Sequence, residues 1–150
     1  MKPISSMSLC LFTLFLHAPV FSETLSPVGL WQTIDDETGE VKSLLRISEQ
    51  GGALIGIVEK LYPKPGKDPK PLCTKCDGDN KNKPVLGMRI LWGLTNHGAE
   101  WSGGSILDPK KGTIYKCTLK TDEKGTRLTV RGYIGFSLLG LSPAWNRADE

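Results

Sequence analysis

The sequence predicts an all-β protein, a single antiparallel up-and-down barrel of about eight strands. Short runs in which apolar and polar residues alternate follow one another along the chain, as half-buried strands require. Clusters of turn-forming residues separate these runs, and the periodicity of amphipathic helices is weak throughout. Because closure into a barrel removes the exposed edges of a sheet, a barrel is the most economical arrangement of so many strands.

The predicted strands follow one another from residue 29 to the end of the chain. They are the strand that contains Trp31, then 41–49, 53–62, 85–95, 99–107, 113–120, 127–134 and a last strand that contains Trp145. Glycine, proline, asparagine and aspartate favour reversal of the chain. The turns that they predict lie at 35–39, 50–52, 96–98, 108–112 and 122–125.

Alternation within the runs indicates which side chains face the barrel interior. The run 53–62 is apolar on both faces and contains Gly56, where a strongly bent strand needs no side chain. In three other runs one face is mainly apolar and the opposite face mainly polar. The residues that this alternation groups on the interior face are Val41, Ser43, Leu45, Ile47, Tyr115, Cys117, Leu119, Leu128, Val130 and Ile134.

The segment 63–84 interrupts this pattern with prolines, lysines and aspartates, and we expect a long loop. We expect this loop to be a polar surface excursion that the cysteine pair protects from proteolysis, and a functional or mobile loop is the alternative. We expect a disulfide between Cys73 and Cys76, with Cys117 as a buried thiol. A bridge from Cys117 to either of them is the alternative. We expect no metal site. Zinc needs four ligands, and only Cys117 and His97 could join Cys73 and Cys76 to make up that number. A thioredoxin-type centre would need a helix after the first cysteine, and the sequence predicts none.

Residues 1–22 have the pattern of a secretory signal peptide, with a lysine, an apolar run and small residues before a cleavage site after Ser22. The remaining residues, 23–150, suffice for one domain. The apolar run is shorter than the roughly 20 residues of a membrane span. The protein is therefore expected to be periplasmic or secreted, and its formal net charge of +3 is too small to indicate a nucleic-acid partner.

The two ends of the predicted barrel domain carry a pair of residues suited to closing the barrel. Gly29 precedes Trp31 by two residues in the first strand, and Arg147 lies in the last strand. A guanidinium stacked on an indole stabilises by roughly 0.5–2 kcal/mol. We expect these residues to close one end, and a ligand to bind at the opposite end, near the cysteine-containing loop.

Five motifs together resemble the uncharacterised secreted bacterial protein family catalogued as domain of unknown function 2147. They are Pro-Val-Gly-Leu-Trp at 27–31, Pro-Val-Leu-Gly-Met at 84–88, Gly-Gly-Ser-Ile-Leu-Asp-Pro at 103–109, Gly-Thr-Ile-Tyr at 112–115 and Val-Arg-Gly-Tyr-Ile-Gly at 130–135. The resemblance implies an exported lipocalin-like barrel with a small apolar ligand. One departure is Leu-Ser-Pro-Ala-Trp at 141–145, where the family usually has a basic residue and Ser-Gln before the tryptophan.

The expected function is binding of a fatty acid or other lipid in the barrel, with no cofactor and no catalytic residue. His97, in a turn, is the single histidine after residue 22, so no nucleophile and base pair can be proposed. The candidate pocket residues are Leu45, Ile55, Ile57, Trp92, Trp101 and Tyr115. These side chains could instead fill the interior. Five glycines could leave room inside the barrel or could merely bend its strands. They are Gly56, Gly87, Gly93, Gly103 and Gly104.

A second hypothesis is a module that binds an envelope protein or an anionic polymer through its outer surface. The lysines that suggest it lie in or beside the 63–84 loop and are Lys60, Lys64, Lys67, Lys70 and Lys75. Three aspartates dilute this charge, at Asp68, Asp77 and Asp79.

Overall fold

The chain forms a closed antiparallel barrel in which each strand pairs with the next and the last pairs with the first. The computed structural model describes residues 25–135 and 144–150. The strands are β1 Gly29–Ile34, β2 Val41–Gln50, β3 Ala53–Leu61, β4 Arg89–Asn96, β5 Trp101–Asp108, β6 Thr113–Thr121, β7 Arg127–Tyr133 and β8 Ala144–Arg147. One short 3-10 helix, Gly78–Asn80, lies between β3 and β4. The predicted eight-stranded up-and-down barrel is confirmed.

Most of the predicted interior positions lie on the inward faces of the strands. Ser43, Leu45 and Ile47 of β2 are buried, as are Cys117 and Leu119 of β6. The predicted interior position of Ile134 is wrong, because β7 ends at Tyr133 and the Ile134 side chain is 50% exposed.

One end of the barrel, which we call the base, carries the turns after β2, β4 and β6 together with residues 25–28 and 148–150. The other end, the mouth, carries the hairpin 35–40, the loop 62–88 and the turn 109–112. The predicted signal peptide, residues 1–22, and the segment 136–143 lie outside the described residues. Within the described ranges, no helix is long and apolar enough to cross a bilayer.

The fourth strand begins four residues later than predicted, because residues 85–88 belong to the loop. The Val85 backbone N–H donates to the Pro71 carbonyl at 3.0 Å, within the loop itself. Gly87 then reverses the chain with a φ of 81°, and its N–H donates to the Val58 carbonyl at 2.8 Å. The apolar residues Val85 and Met88 thus cover the end of β3 instead of continuing β4.

The base-side half of the interior is filled by apolar side chains. The residues here with no exposed surface include Trp31, Leu45, Ile47, Leu54, Leu91, Leu94, Leu119 and Leu128. Two glycines allow close packing in this half. A Cβ at Gly56 would lie 2.8 Å from the Leu91 Cβ, and one at Gly104 would overlap the Trp92 carbonyl oxygen. These two glycines therefore let neighbouring atoms fill the interior; they do not leave it open.

Candidate functional site

A cavity of about 600 Å³ occupies the mouth-side half of the barrel and opens at the mouth. Its apolar wall is formed by Val58, Leu61, Val85, Ile90, Ile106, Leu107, Val130 and Trp145. The filled half of the interior closes it from below. A volume of this size lies within the range of small-molecule sites, roughly 300–1,000 Å³.

Two hydroxyl side chains interrupt the apolar wall at the level directly above the filled core. Thr33 follows Trp31 by two residues on the inward face of β1, and Ser43 precedes Leu45 in the same way on β2. The two residues pair across the strands, and their hydroxyl groups are hydrogen-bonded to each other. Thr33 and Ser43 are 1% and 6% exposed, and both line the cavity.

Tyr115 of β6 lines the cavity nearer the mouth, beside Gly132 of β7. A Cβ at Gly132 would lie 3.3 Å from the Tyr115 Cβ, tighter than an ordinary contact, so the glycine leaves space for the tyrosine. Within the parts of the chain that the structure covers, no hydrogen bond is formed by the Tyr115 hydroxyl. The phenol is therefore available to a bound molecule.

Charged residues surround the mouth, and several of the carboxylates already have structural partners. The charged residues lining this rim are Asp35, Asp36, Glu37, Lys42, Lys67, Asp68, Asp108, Lys110 and Lys111. Asp35 accepts hydrogen bonds from the Thr38 backbone N–H at 3.0 Å and the Thr38 hydroxyl at 3.1 Å. Desolvation raises the pKa of Asp35. The hydrogen bonds from Thr38, a further hydrogen bond from the Glu37 backbone N–H and the charge of nearby Lys64 lower this pKa by more, so the pKa lies below its usual value. Asp108 similarly accepts the Lys110 N–H at 2.9 Å.

The 62–88 loop is an ordered cover over one side of the mouth. The predicted disulfide between Cys73 and Cys76 is confirmed, and Cys117 is a free, buried thiol whose pKa burial raises to about 12. The alternative bridge to Cys117 is thereby excluded. The Cys73 N–H donates to the Lys83 carbonyl at 2.8 Å, which joins the two arms of the loop.

Contacts on both sides attach this loop to the hairpin and turn at the mouth. Cys73 Sγ lies 3.3 Å from the Pro109 carbonyl oxygen, and a side chain at Gly112 would overlap the Lys75 carbonyl. On the other side, Lys64 Nζ lies 3.7 Å from a Glu40 carboxylate oxygen. The loop therefore spans from the β1–β2 hairpin to the β5–β6 turn, and its residues Pro71, Leu72 and Thr74 line the cavity.

The three residues that were predicted to close the barrel lie together at the base. The Arg147 guanidinium carbon lies 4.2 Å from the Trp31 ring centroid, and Arg147 also donates to the Val28 and Ser26 carbonyls at 2.9 and 3.0 Å. Gly29 has a φ of 134°, and a side chain there would overlap the guanidinium. The indole N–H of Trp31 donates to the Pro27 carbonyl at 2.8 Å. All these contacts lie at the opposite end from the cavity.

Of the six candidate pocket residues, the structure places Tyr115 in the cavity wall. Leu45 lies in the filled core, and Trp101 is buried at the base end of β5. Ile55 and Ile57 alternate with the buried Leu54, Gly56 and Val58, which places them on the outer face of β3. Trp92 pairs with Ile55 on the adjoining strand and is half-buried.

Sequence reasoning did not identify Thr33, Ser43, Gly132 or Trp145 as lining residues. One feature of the sequence did point to a polar group in the cavity wall: Ser43 is a polar residue on an otherwise apolar face of its predicted strand. None of the five glycines that could have left room inside lines the cavity.

His97 lies in the turn after β4, at the base, with its Nε2 3.0 Å from the Thr95 hydroxyl oxygen. It is therefore remote from the cavity. Across residues 25–135 and 144–150, no three histidine, cysteine, aspartate or glutamate side chains are arranged to hold a metal ion.

Comparison with known proteins identifies the fold and the family. A solved structure described as "Protein HP1028 from the human pathogen Helicobacter pylori belongs to the lipocalin family" matches with a TM-score of 0.70 at 18% sequence identity. The match covers 85% of this chain and 86% of that one, and the likeness shows a shared lipocalin-like fold. None of the curated proteins matches the chain. Residues 29–147 match the profile of a family described as "Uncharacterized protein conserved in bacteria (DUF2147)", and the chain belongs to this family.

Proposed function

We propose that this protein is an exported lipocalin-like carrier or sensor that binds a small apolar molecule, such as a fatty acid or another lipid. The observation that supports the proposal is the apolar cavity of about 600 Å³ above a filled core, open at the mouth. Binding would be driven by burial of the ligand's apolar surface, at roughly 25 cal/mol per Å². The protein would hold its ligand without transforming it.

The mouth suits a ligand with a polar end left near solvent. Lys42, Lys67 and Lys110 line the rim, and their ammonium groups make no ion pair with any residue that the structure describes. A chain of apolar carbons would lie against Val58, Ile90 and Val130. The ordered 62–88 loop would shield it on one side.

Displacement of anilinonaphthalene sulfonate fluorescence by fatty acids tests this proposal. Val130→Phe should fill the cavity and weaken binding at least about tenfold, a loss of about 1.4 kcal/mol. Thr129→Phe is the matched control, because Thr129 is the exposed neighbour of Val130 on the same strand. Failure of the parent protein to bind any apolar probe, or equal affinity of Val130→Phe and parent, would contradict the proposal.

Export is part of the same proposal. A disulfide persists in oxidising compartments, and Cys73–Cys76 is consistent with such a location for a member of a bacterial family. We expect the protein recovered from the periplasm or medium of an expressing bacterium to begin at Glu23. Intact mass and N-terminal sequencing measure this directly, and an uncleaved cytoplasmic product would be the contrary result.

The second hypothesis, a surface interaction module, is supported by the order of the 62–88 loop. The disulfide and the paired arms hold its lysines on a fixed backbone. Replacing Lys67, Lys70 and Lys75 by glutamate should then abolish salt-sensitive capture of an anionic envelope polymer. Equal capture by parent and variant would argue against the surface function. It would leave the proposal of ligand binding in the cavity untouched.

A further inference from the structure

We propose that the ligand of this cavity buries a neutral hydroxyl group, which hydrogen-bonds to the Thr33–Ser43 pair. The inference rests on the proposed ligand-binding function and specifies the chemical class of the ligand. The pair would be the polar anchor of the cavity. The molecule that fits is a long-chain alcohol, or a lipid with a hydroxyl group on its apolar body.

The position of the pair is the first reason. Thr33 and Ser43 lie directly above Trp31 and Leu45 of the filled core, so a molecule that occupies the cavity fully reaches them with its leading end. Both residues are more than nine-tenths buried. Around them the cavity wall is formed by Val58, Ile90 and Trp145. A wholly apolar ligand would therefore cover two hydroxyl groups and offer them no further hydrogen bond.

The hydrogen-bonding capacity of the pair is the second reason. Each hydroxyl supplies one donor and two acceptor lone pairs. One proton is used between the two side chains, and the Thr33 oxygen also lies 3.5 Å from the Ser43 carbonyl oxygen. With the Ser43 hydroxyl donating to Thr33 Oγ1 and the Thr33 hydroxyl donating to the Ser43 carbonyl, both protons are used and acceptor lone pairs remain on both oxygens. The complementary ligand group is a donor, which an alcohol has and an ether or a hydrocarbon lacks.

The distribution of charge is the third reason, and it excludes a carboxylate at this position. The charged residues that line the site belong to its rim: they lie on the hairpin, the loop and the turn at the mouth, and at the mouth ends of β2 and β5, where Lys42 is exposed. Thr33 and Ser43 carry no charge, and burying an ionised carboxylate without a cation is strongly unfavourable. A fatty acid would therefore place its carboxylate at the rim and leave the hydroxyl pair covered by methyl and methylene groups.

The test compares n-dodecanol with its isomer methyl undecyl ether and with dodecanoate, in displacement of anilinonaphthalene sulfonate. The alcohol and the ether contain the same atoms, so the comparison isolates the donor. We expect the parent protein to bind the alcohol about tenfold more tightly than the ether, the effect of one hydrogen bond. We expect the alcohol to bind more tightly than dodecanoate as well.

The double variant Thr33→Val, Ser43→Ala should lose this preference and bind alcohol and ether equally. Replacement of both partners by apolar groups of similar shape is close to neutral for folding, and thermal melting verifies it. Ser43→Ala alone is the second variant and should reduce the preference. Thr121→Val is the matched control, because the Thr121 hydroxyl is also buried on an inward face but lies outside the cavity lining. Its preference should equal that of the parent.

The outcomes separate the two proposals. Binding of none of the three probes would overturn both the ligand-binding function and the hydroxyl anchor. Equal binding of alcohol and ether by the parent, tighter binding of dodecanoate, or a preference that survives in the double variant would overturn the anchor alone. In those cases Thr33 and Ser43 would be a structural pair beside the irregularity in register after Thr33.

Discussion

At the scale of single residues, the thiol of Cys117 combines burial with chemical inertness. It is free, and burial raises the pKa of its thiol to about 12 from a usual value of 9.0. Because the thiolate is the reactive form, we expect no modification by iodoacetamide at neutral pH in the native protein. In the protein that begins at Glu23, which lacks Cys10, one thiol should react after unfolding without reductant, as intact mass would show. Rapid modification of the folded protein would contradict the buried position.

The same thiol predicts a loss of stability in alkali. The pKa of Cys117 is higher in the folded protein than in the unfolded chain. The protonated thiol therefore makes its full contribution to the free energy of unfolding at a pH below the unfolded pKa of 9.0. It is then lost as the pH rises from there towards about 12. Urea unfolding as a function of pH measures this slope. Cys117→Ala should remove that component, and an unchanged slope in the variant would refute the assignment.

Trp31 is predicted to close the base of the barrel. Its side chain is fully buried between the filled core and the Arg147 guanidinium. Trp31→Ala should lower the free energy of unfolding by about 3–5 kcal/mol, as truncations of large buried aromatic residues do. Chemical denaturation measures the effect, and Ile114→Ala, at an exposed apolar residue, is the control. A Trp31→Ala variant as stable as the parent would rule out the closure role.

At the scale of elements, the 62–88 loop is held by one short disulfide and by contacts with its neighbours. The bond joins residues three apart, so it restricts the unfolded chain only slightly. Reduction should therefore lower the melting temperature little, while the loop lysines become more susceptible to trypsin. Peptide mapping before and after reduction measures this change, and the Cys117→Ala variant shows that the free thiol is not responsible. Equal cleavage in both states would show that the neighbouring contacts suffice.

The turn between β6 and β7 depends on one carboxylate. Asp122 accepts hydrogen bonds from the Thr126 and Arg127 backbone N–H groups at 2.8 and 3.1 Å. The Arg127 bond is the largest cause of a pKa below the usual 3.8. The stabilisation is therefore present above the unfolded pKa and is lost as the pH falls through the folded one. Asp122→Asn should reduce acid destabilisation measured by thermal melting, whereas Glu123→Gln, in the same turn, should not.

At the scale of the whole molecule, sequence patterns sufficed for the barrel because strands and turns are determined locally. Alternation placed Leu45, Cys117 and Val130 correctly, and turn residues marked the connections β1–β2, β2–β3, β4–β5, β5–β6 and β6–β7. The cavity depends instead on which inward side chains meet across the barrel, as Tyr115 and Gly132 do. A run that is apolar on both faces, such as the one containing Ile55, carries no signal that separates inside from outside.

The division of the interior into a filled half and a hollow half also bears on how such a protein can change. Trp31 and Leu91 lie in the filled half and do not line the cavity, whereas Val58 and Ile90 belong to the same buried cluster and also line the cavity. Substitutions around the cavity can alter its shape while the closed base remains intact. The shape of the cavity can therefore be varied by laboratory selection while the closed end of the barrel is kept.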